Sequence, residues 1–177
     1  MTAITGDWHV PGILFKRPRL VFGAIALACA GMLAFGIVYL QNVVGVDPCP
    51  MCIVQRYCLI GVGAFSLLAA LCKGRGWRWL WGALGIASGA FGVFTAARQS
   101  WLQWYPPAVS TCGRDLYGMI ESFPLQKAIP MIFRGSGDCS AVDWTFLGGS
   151  IANWSFVWFV IFIVVMLAAL IGQRRAV

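Results

Sequence analysis

Hydrophobic positions in this chain fall into four long blocks rather than into an alternating or amphipathic pattern. Leu20–Leu40 runs for 21 residues without a charge, enough for a helix of about 31 Å. Ile53–Cys72 is similar, with Gln55 and Arg56 near its start. Trp77–Ala97 is apolar apart from Arg78 at its edge, and Trp154–Gly172 is apolar until Gln173-Arg174-Arg175 ends it. Each block is long enough to span a bilayer as a helix. The first resembles a signal peptide in following Lys16, Arg17 and Arg19, but its apolar run is too long. It also ends in Tyr39-Leu40-Gln41 rather than a small-residue cleavage site. The pattern predicts an all-α membrane protein, an antiparallel four-helix transmembrane bundle forming one integral membrane domain over residues 1–177.

The segments between the blocks set the orientation. Eight basic residues (Lys16, Arg17, Arg19, Lys73, Arg75, Arg78, Arg174, Arg175) share one side. By the positive-inside rule both termini are cytoplasmic and two segments, 41–52 and 98–153, face outward. Within the longer segment, Leu125, Ala128, Ile129, Ile132 and Phe133 recur at helical spacing. They predict a short helix on the membrane surface, interrupted by Pro124 and Pro130, or else a loop packed on the helix ends. Gly85 and Gly89 in the third block form a small-xxx-small pair suited to close helix packing.

Composition agrees. The 177 residues are 60% hydrophobic and 11% charged, against roughly 25% charged in soluble domains. Although the net charge is +7, the basic residues are not gathered into a patch that would bind nucleic acid. One histidine, His9 in the polar N-terminal tail, argues against a bis-histidine haem or a histidine-rich metal site. Seven cysteines are too few for a disulfide scaffold, and their odd number leaves at least one outside any intrachain pair.

The reactive chemistry concentrates at Asp47-Pro48-Cys49-Pro50-Met51-Cys52, where the short outer segment meets the second block. A Cys-x-x-Cys pair spans one helical turn, close enough for a disulfide to form and break. Asp47 suits an N-cap and Pro48 the first helical position, which would put Cys52 near the first turn, where amide groups and helix dipole favour a thiolate. Arg56, four residues on, shares the face of Cys52. An arginine inside a span is a functional candidate, here to stabilise a thiolate or an anion developing on an electron acceptor; its alternative role is to snorkel toward the interface.

Cys112 and Cys139 lie in the long outer segment. They could join Cys49 and Cys52 as zinc ligands, close a 28-residue loop as a structural staple, or form a second exchangeable pair and so make a relay. Cys29, Cys58 and Cys72 read as small buried hydrophobes; Cys58 lies about 120° around the helix from Cys52.

The arrangement resembles the DsbB family of bacterial inner-membrane disulfide bond formation proteins. Four helices, Cys-x-x-Cys at the outer start of the second with arginine four residues on, and a long second outer loop all match. So do Leu102-Gln103-Trp104-Tyr105-Pro106, Ser110-Thr111-Cys112, Gly135-Ser136-Gly137-Asp138-Cys139 and Trp144-Thr145-Phe146-Leu147-Gly148. The resemblance implies a thiol:quinone oxidoreductase in the inner membrane with periplasmic reactive loops and no metal. Its partner would be DsbA, a soluble thioredoxin-like dithiol oxidase, and its acceptor ubiquinone, with menaquinone as the alternative. Carried over, the disulfides are Cys49–Cys52 and Cys112–Cys139. Cys112 receives the partner's thiolate, Cys139 passes electrons through Cys49, Cys52 donates to quinone, and Arg56, Gln55 and Gln99 border the quinone. Two positions depart from some family members: Arg98-Gln99 stands where they carry a histidine, and Gln55 where they carry an acid. A vitamin K epoxide reductase-type enzyme places its Cys-x-x-Cys late in the chain rather than at the second helix. A non-catalytic membrane protein with zinc or staples is the alternative from another class.

Overall fold

The computed structural model describes residues 17–45, 48–106, 142 and 144–175. Asp47, Cys112, Cys139 and the surface helix expected around Leu125–Phe133 lie outside these residues.

Helix α1 (Pro18–Ala34) starts with proline at its first position and continues without interruption as a π-helical segment, Phe35–Gln41. Helix α2 is Pro50–Leu71, α3 is Arg75–Trp104 and α4 is Ile151–Arg175. Between α3 and α4, strands β1 (Thr145–Phe146) and β2 (Gly149–Ser150) pair antiparallel, Thr145 opposite Ser150 and Phe146 opposite Gly149. Both residues of the connecting turn have positive φ (Leu147 at 50°, Gly148 at 79°), the requirement of a type I′ hairpin. All four helices are long and apolar enough to cross a membrane, as the hydrophobic blocks imply.

The contacts make the bundle antiparallel and closed, α1 on α2, α2 on α3, α3 on α4, and α4 back on α1. Along α3 a stripe of glycines meets α4 in reverse order. A Cβ placed at Gly82, Gly85, Gly89 or Gly92 would meet Leu170, Met166, Ile163 or Phe159 respectively, at 3.0, 3.2, 3.1 and 2.7 Å. Without a hydrophobic effect between helices in lipid, such close backbone approach supplies the dispersion that joins them. The expected Gly85–Gly89 pair is therefore the middle of a stripe twice as long. Phe22, Ile25, Cys29, Cys58, Val62 and Met166 belong to the buried core, which places Cys29 and Cys58 among hydrophobes, as expected.

Polar ties close both ends. Ser150 caps α4, its Oγ accepting the Asn153 N–H (3.4 Å), and it donates to Gln103 Oε1 of α3 (2.6 Å). At the other end the buried Arg78 donates to Ala69 O (3.3 Å), Cys72 O (2.9 Å) and Gln173 Oε1 (2.9 Å). It satisfies carbonyls that the end of α2 leaves without helical partners.

Candidate functional site: a dithiol facing an apolar cavity

Helix α2 begins at Pro50, two residues later than the Asp47–Pro48 reading expects. The cause is local: Cys49 precedes a proline, which bars it from the helical region, and it sits extended at φ −64°, ψ 159°. Cys49 is the N-cap, and its own sulfur performs the capping, accepting the Cys52 N–H at 3.3 Å. Cys52 falls in the first turn, as the sequence implies. The two sulfurs are 2.9 Å apart, in contact across one turn.

A second element reaches this pair from α3. That helix runs to Trp104, well past the apolar limit at Ala97, so Gln99 is a helical residue rather than part of a loop. Its Nε2 lies 3.3 Å from Cys49 Sγ and 3.3 Å from Cys52 Sγ. Its Oε1 accepts Gln55 Nε2 at 2.6 Å and lies 3.8 Å from Cys52 Sγ. Both carboxamides are buried, Gln55 5% and Gln99 3% exposed. Because Gln55 donates to the Gln99 oxygen, the Gln99 NH2 group is left facing the sulfurs. Met51 and Leu102 pack beside Cys49 and close this face of the dithiol.

Arg56, one turn below Cys52, is tied to α1: Nη1 donates to Gln41 Oε1 (2.8 Å) and Nη2 to Gly36 O (3.3 Å). Both partners belong to the π-helical end of α1, an irregularity common at functional sites. These bonds hold the guanidinium against the protein, in place of the snorkelling alternative.

Cys49, Cys52, Gln55, Arg56 and Gln99 all line one cavity of about 910 Å³. Its remaining wall is mainly apolar and aromatic, including Phe35, Tyr39, Trp144, Trp154, Trp158 and Phe159. The hairpin builds part of it. Trp144 and Phe146 stack with ring centroids 6.0 Å apart, and Trp154 Nε1 donates to Phe146 O at 2.9 Å. A space of this size, apolar with a few convergent polar groups at one side, suits a small hydrophobic molecule. Among the described residues no group of three or more His, Cys, Asp or Glu side chains gathers to hold a metal.

The structure thus brings together Cys49, Cys52, Gln55, Arg56 and Gln99; Cys112 and Cys139 lie outside the described residues. Sequence reasoning missed Gln41 and Gly36, which hold Arg56, and the aromatic wall from the hairpin. It also missed Gln103, although its place four residues after Gln99 put both on one face of α3.

The family model described as Disulfide bond formation protein DsbB matches residues 18–169. The chain is 66% identical over 162 residues to Disulfide bond formation protein B of Paracidovorax citrulli (strain AAC00-1), covering 92% of each chain. It is 64% identical over 158 residues to the protein of the same name from Acidovorax sp. (strain JS42), covering 89% of this chain and 90% of that one. The counterpart in Azoarcus sp. (strain BH72) is 50% identical over 161 residues, 90% of this chain and 96% of its own.

Proposed function

The chain belongs to the DsbB family of disulfide bond formation proteins, and on that premise we propose that it is a thiol:quinone oxidoreductase of the bacterial inner membrane. It takes electrons from a periplasmic DsbA-like dithiol oxidase and passes them to membrane quinone, ubiquinone or menaquinone, so making disulfides de novo. One observation carries this reading: the Cys49–Cys52 dithiol opens, with Arg56 on the same wall, into a largely apolar cavity of about 910 Å³.

The proposed relay is a series of thiol–disulfide exchanges. A thiolate of the reduced partner attacks Cys112, forming a mixed disulfide and releasing Cys139 as a thiolate. Cys139 attacks Cys49, breaking the Cys49–Cys52 disulfide and releasing Cys52. The partner's second thiolate resolves the mixed disulfide at Cys112, leaving the partner oxidised. When Cys112 in turn displaces Cys49 from Cys139, the Cys112–Cys139 disulfide is restored and the Cys49–Cys52 pair carries two electrons and two protons. Each exchange requires a thiolate with access to a sulfur.

The cavity fits a quinone ring beside a dithiol: aromatic walls for the ring, the Arg56 guanidinium for an oxygen, and both sulfurs at the edge. Quinone, when bound, supplies a two-electron acceptor, and its reduction to quinol re-forms the Cys49–Cys52 disulfide. The protein's own groups prepare the dithiol for that transfer. The N-terminal amides of α2 and the Gln99 NH2 group face the sulfurs and favour the thiolate. Gln55 fixes the orientation of Gln99, giving these two residues work on the sulfurs alongside the quinone contact expected from the resemblance. Arg56, braced by Gln41 and Gly36, supplies a fixed positive charge that needs no proton to appear. The direct test is quinone reduction, followed by absorbance, with the reduced thioredoxin-like partner as donor.

A further inference from the structure

At the end of the bundle away from the dithiol, the start of α1, the end of α2 and the first turn of α3 border an open cavity of about 690 Å³. Arg17, Arg19 and Arg78 line it, with Leu20 and Leu71 at its side. Arg78 is a structural member, buried and hydrogen-bonded to α2 and α4. Arg19 and Arg17 are exposed. Arg19 gives one hydrogen bond to Leu71 O (3.2 Å), and its like charge acts on Arg78.

Three guanidinium charges therefore converge where the opposing charges are only the partial charges at the C-terminal ends of α2 and α4 among the described residues, each worth roughly half a unit. No acidic side chain occurs among the described residues, and the nearest acid in sequence is Asp7, ten positions before Arg17. Leu20 and Leu71 are 59% and 67% exposed, as residues facing acyl chains would be. A polar, positively charged hollow next to exposed leucines at the end of a membrane bundle matches an amphiphile whose head is an anion. Guanidinium groups suit phosphate, which they bind through paired N–H donors, and basic pockets between membrane helices take such headgroups.

We propose that this cavity is a binding site for the phosphate headgroup of an anionic phospholipid, held by Arg17 and Arg19 beside Arg78, with its acyl chains along Leu20 and Leu71. The bound lipid would join α1 to the end of α2.

The test uses the purified full chain in detergent, titrated with phosphatidylglycerol, phosphatidylethanolamine or inorganic phosphate. Bound lipid is counted by native mass spectrometry, and the gain in thermal stability on addition is read alongside. The expected result is saturable binding of phosphatidylglycerol in preference to phosphatidylethanolamine, with little gain from phosphate alone. Arg17→Gln with Arg19→Gln should weaken half-saturation at least about tenfold. Lys73→Gln with Arg75→Gln removes equal charge from the same end outside the cavity and should change it less than about threefold. Because Arg19 also bonds α2, Arg17→Gln alone is measured too; it should weaken binding while the lipid-free protein keeps its stability. Equal losses in the two double variants would show diffuse attraction to a basic surface and overturn the site. So would equal binding of both lipids, or stabilisation by inorganic phosphate matching that by the lipid. None of these readouts involves quinone or disulfides.

Discussion

Replacing Gln99 by leucine should make the Cys49–Cys52 dithiol a poorer nucleophile without disturbing the bundle. The Gln99 carboxamide places one NH2 group 3.3 Å from each sulfur in a buried site. Leucine nearly matches its volume and offers no donor. A hydrogen bond to a charged group contributes about 1.5–3 kcal/mol, and each 1.36 kcal/mol is a factor of about ten in the thiolate population. Alkylation of reduced Cys49 and Cys52 by iodoacetamide, resolved by mass spectrometry, should therefore slow roughly three- to tenfold at neutral pH, because the less stabilised thiolate is also the more nucleophilic one. Gln55→Glu sharpens the test. At a pH where the new carboxyl is ionised it can only accept, so the Gln99 amide turns its NH2 toward it and its oxygen toward the sulfurs. That substitution should slow alkylation at least as much as Gln99→Leu, although it leaves Gln99 in place. Unchanged alkylation in Gln99→Leu, with a raised KM for quinone, would refute the reasoning and assign Gln99 to the quinone itself.

Further consequences follow from packing and topology. A Cβ at Gly92 would lie 2.7 Å from the Phe159 ring, so Gly92→Ala should cost about 1–3 kcal/mol in thermal or denaturant unfolding. Gly23→Ala, with nothing within 4 Å of the added carbon, should be neutral or stabilising by up to about 1 kcal/mol. Arg78→Leu leaves Ala69 O and Cys72 O at the end of α2 and Gln173 of α4 without their donor. It should destabilise the protein by about 2–4 kcal/mol, read as a lower midpoint of unfolding, with the alkylation rate at Cys52 unchanged.

The spans were legible because a continuous apolar block has one economical solution in lipid, a helix with every backbone group bonded internally. Their ends were not. Hydropathy marks where the apolar run stops, whereas the helix continues while its backbone can; α3 runs on to Trp104 and ends where Tyr105 precedes Pro106. That extension carries Gln99 to the dithiol. The Cys-x-x-Cys and Arg56 announced themselves by spacing along one chain segment. The contact of Gln99 with Cys49 and Cys52 joins residues 50 and 47 positions apart, and only the packing of α2 on α3 creates it. Similarly, Gln41 and Gly36 find Arg56 across α1 and α2, and the Thr145–Ser150 hairpin was hidden in a long segment read as loop. The Cys49 cap could have been read from Pro50, since a residue before proline resists the helical conformation.

Whether two dithiol pairs deliver electrons to quinone, as proposed, is decided by quinone reduction in variants that each replace one cysteine. With purified protein, a ubiquinone analogue and the reduced thioredoxin-like partner, turnover should vanish in both Cys52→Ser and Cys112→Ser. It should persist in Cys72→Ser, whose sulfur lies at the opposite end of α2. Turnover that survives Cys52→Ser or Cys112→Ser, or folded wild-type protein that reduces neither ubiquinone nor menaquinone analogues, would contradict the relay.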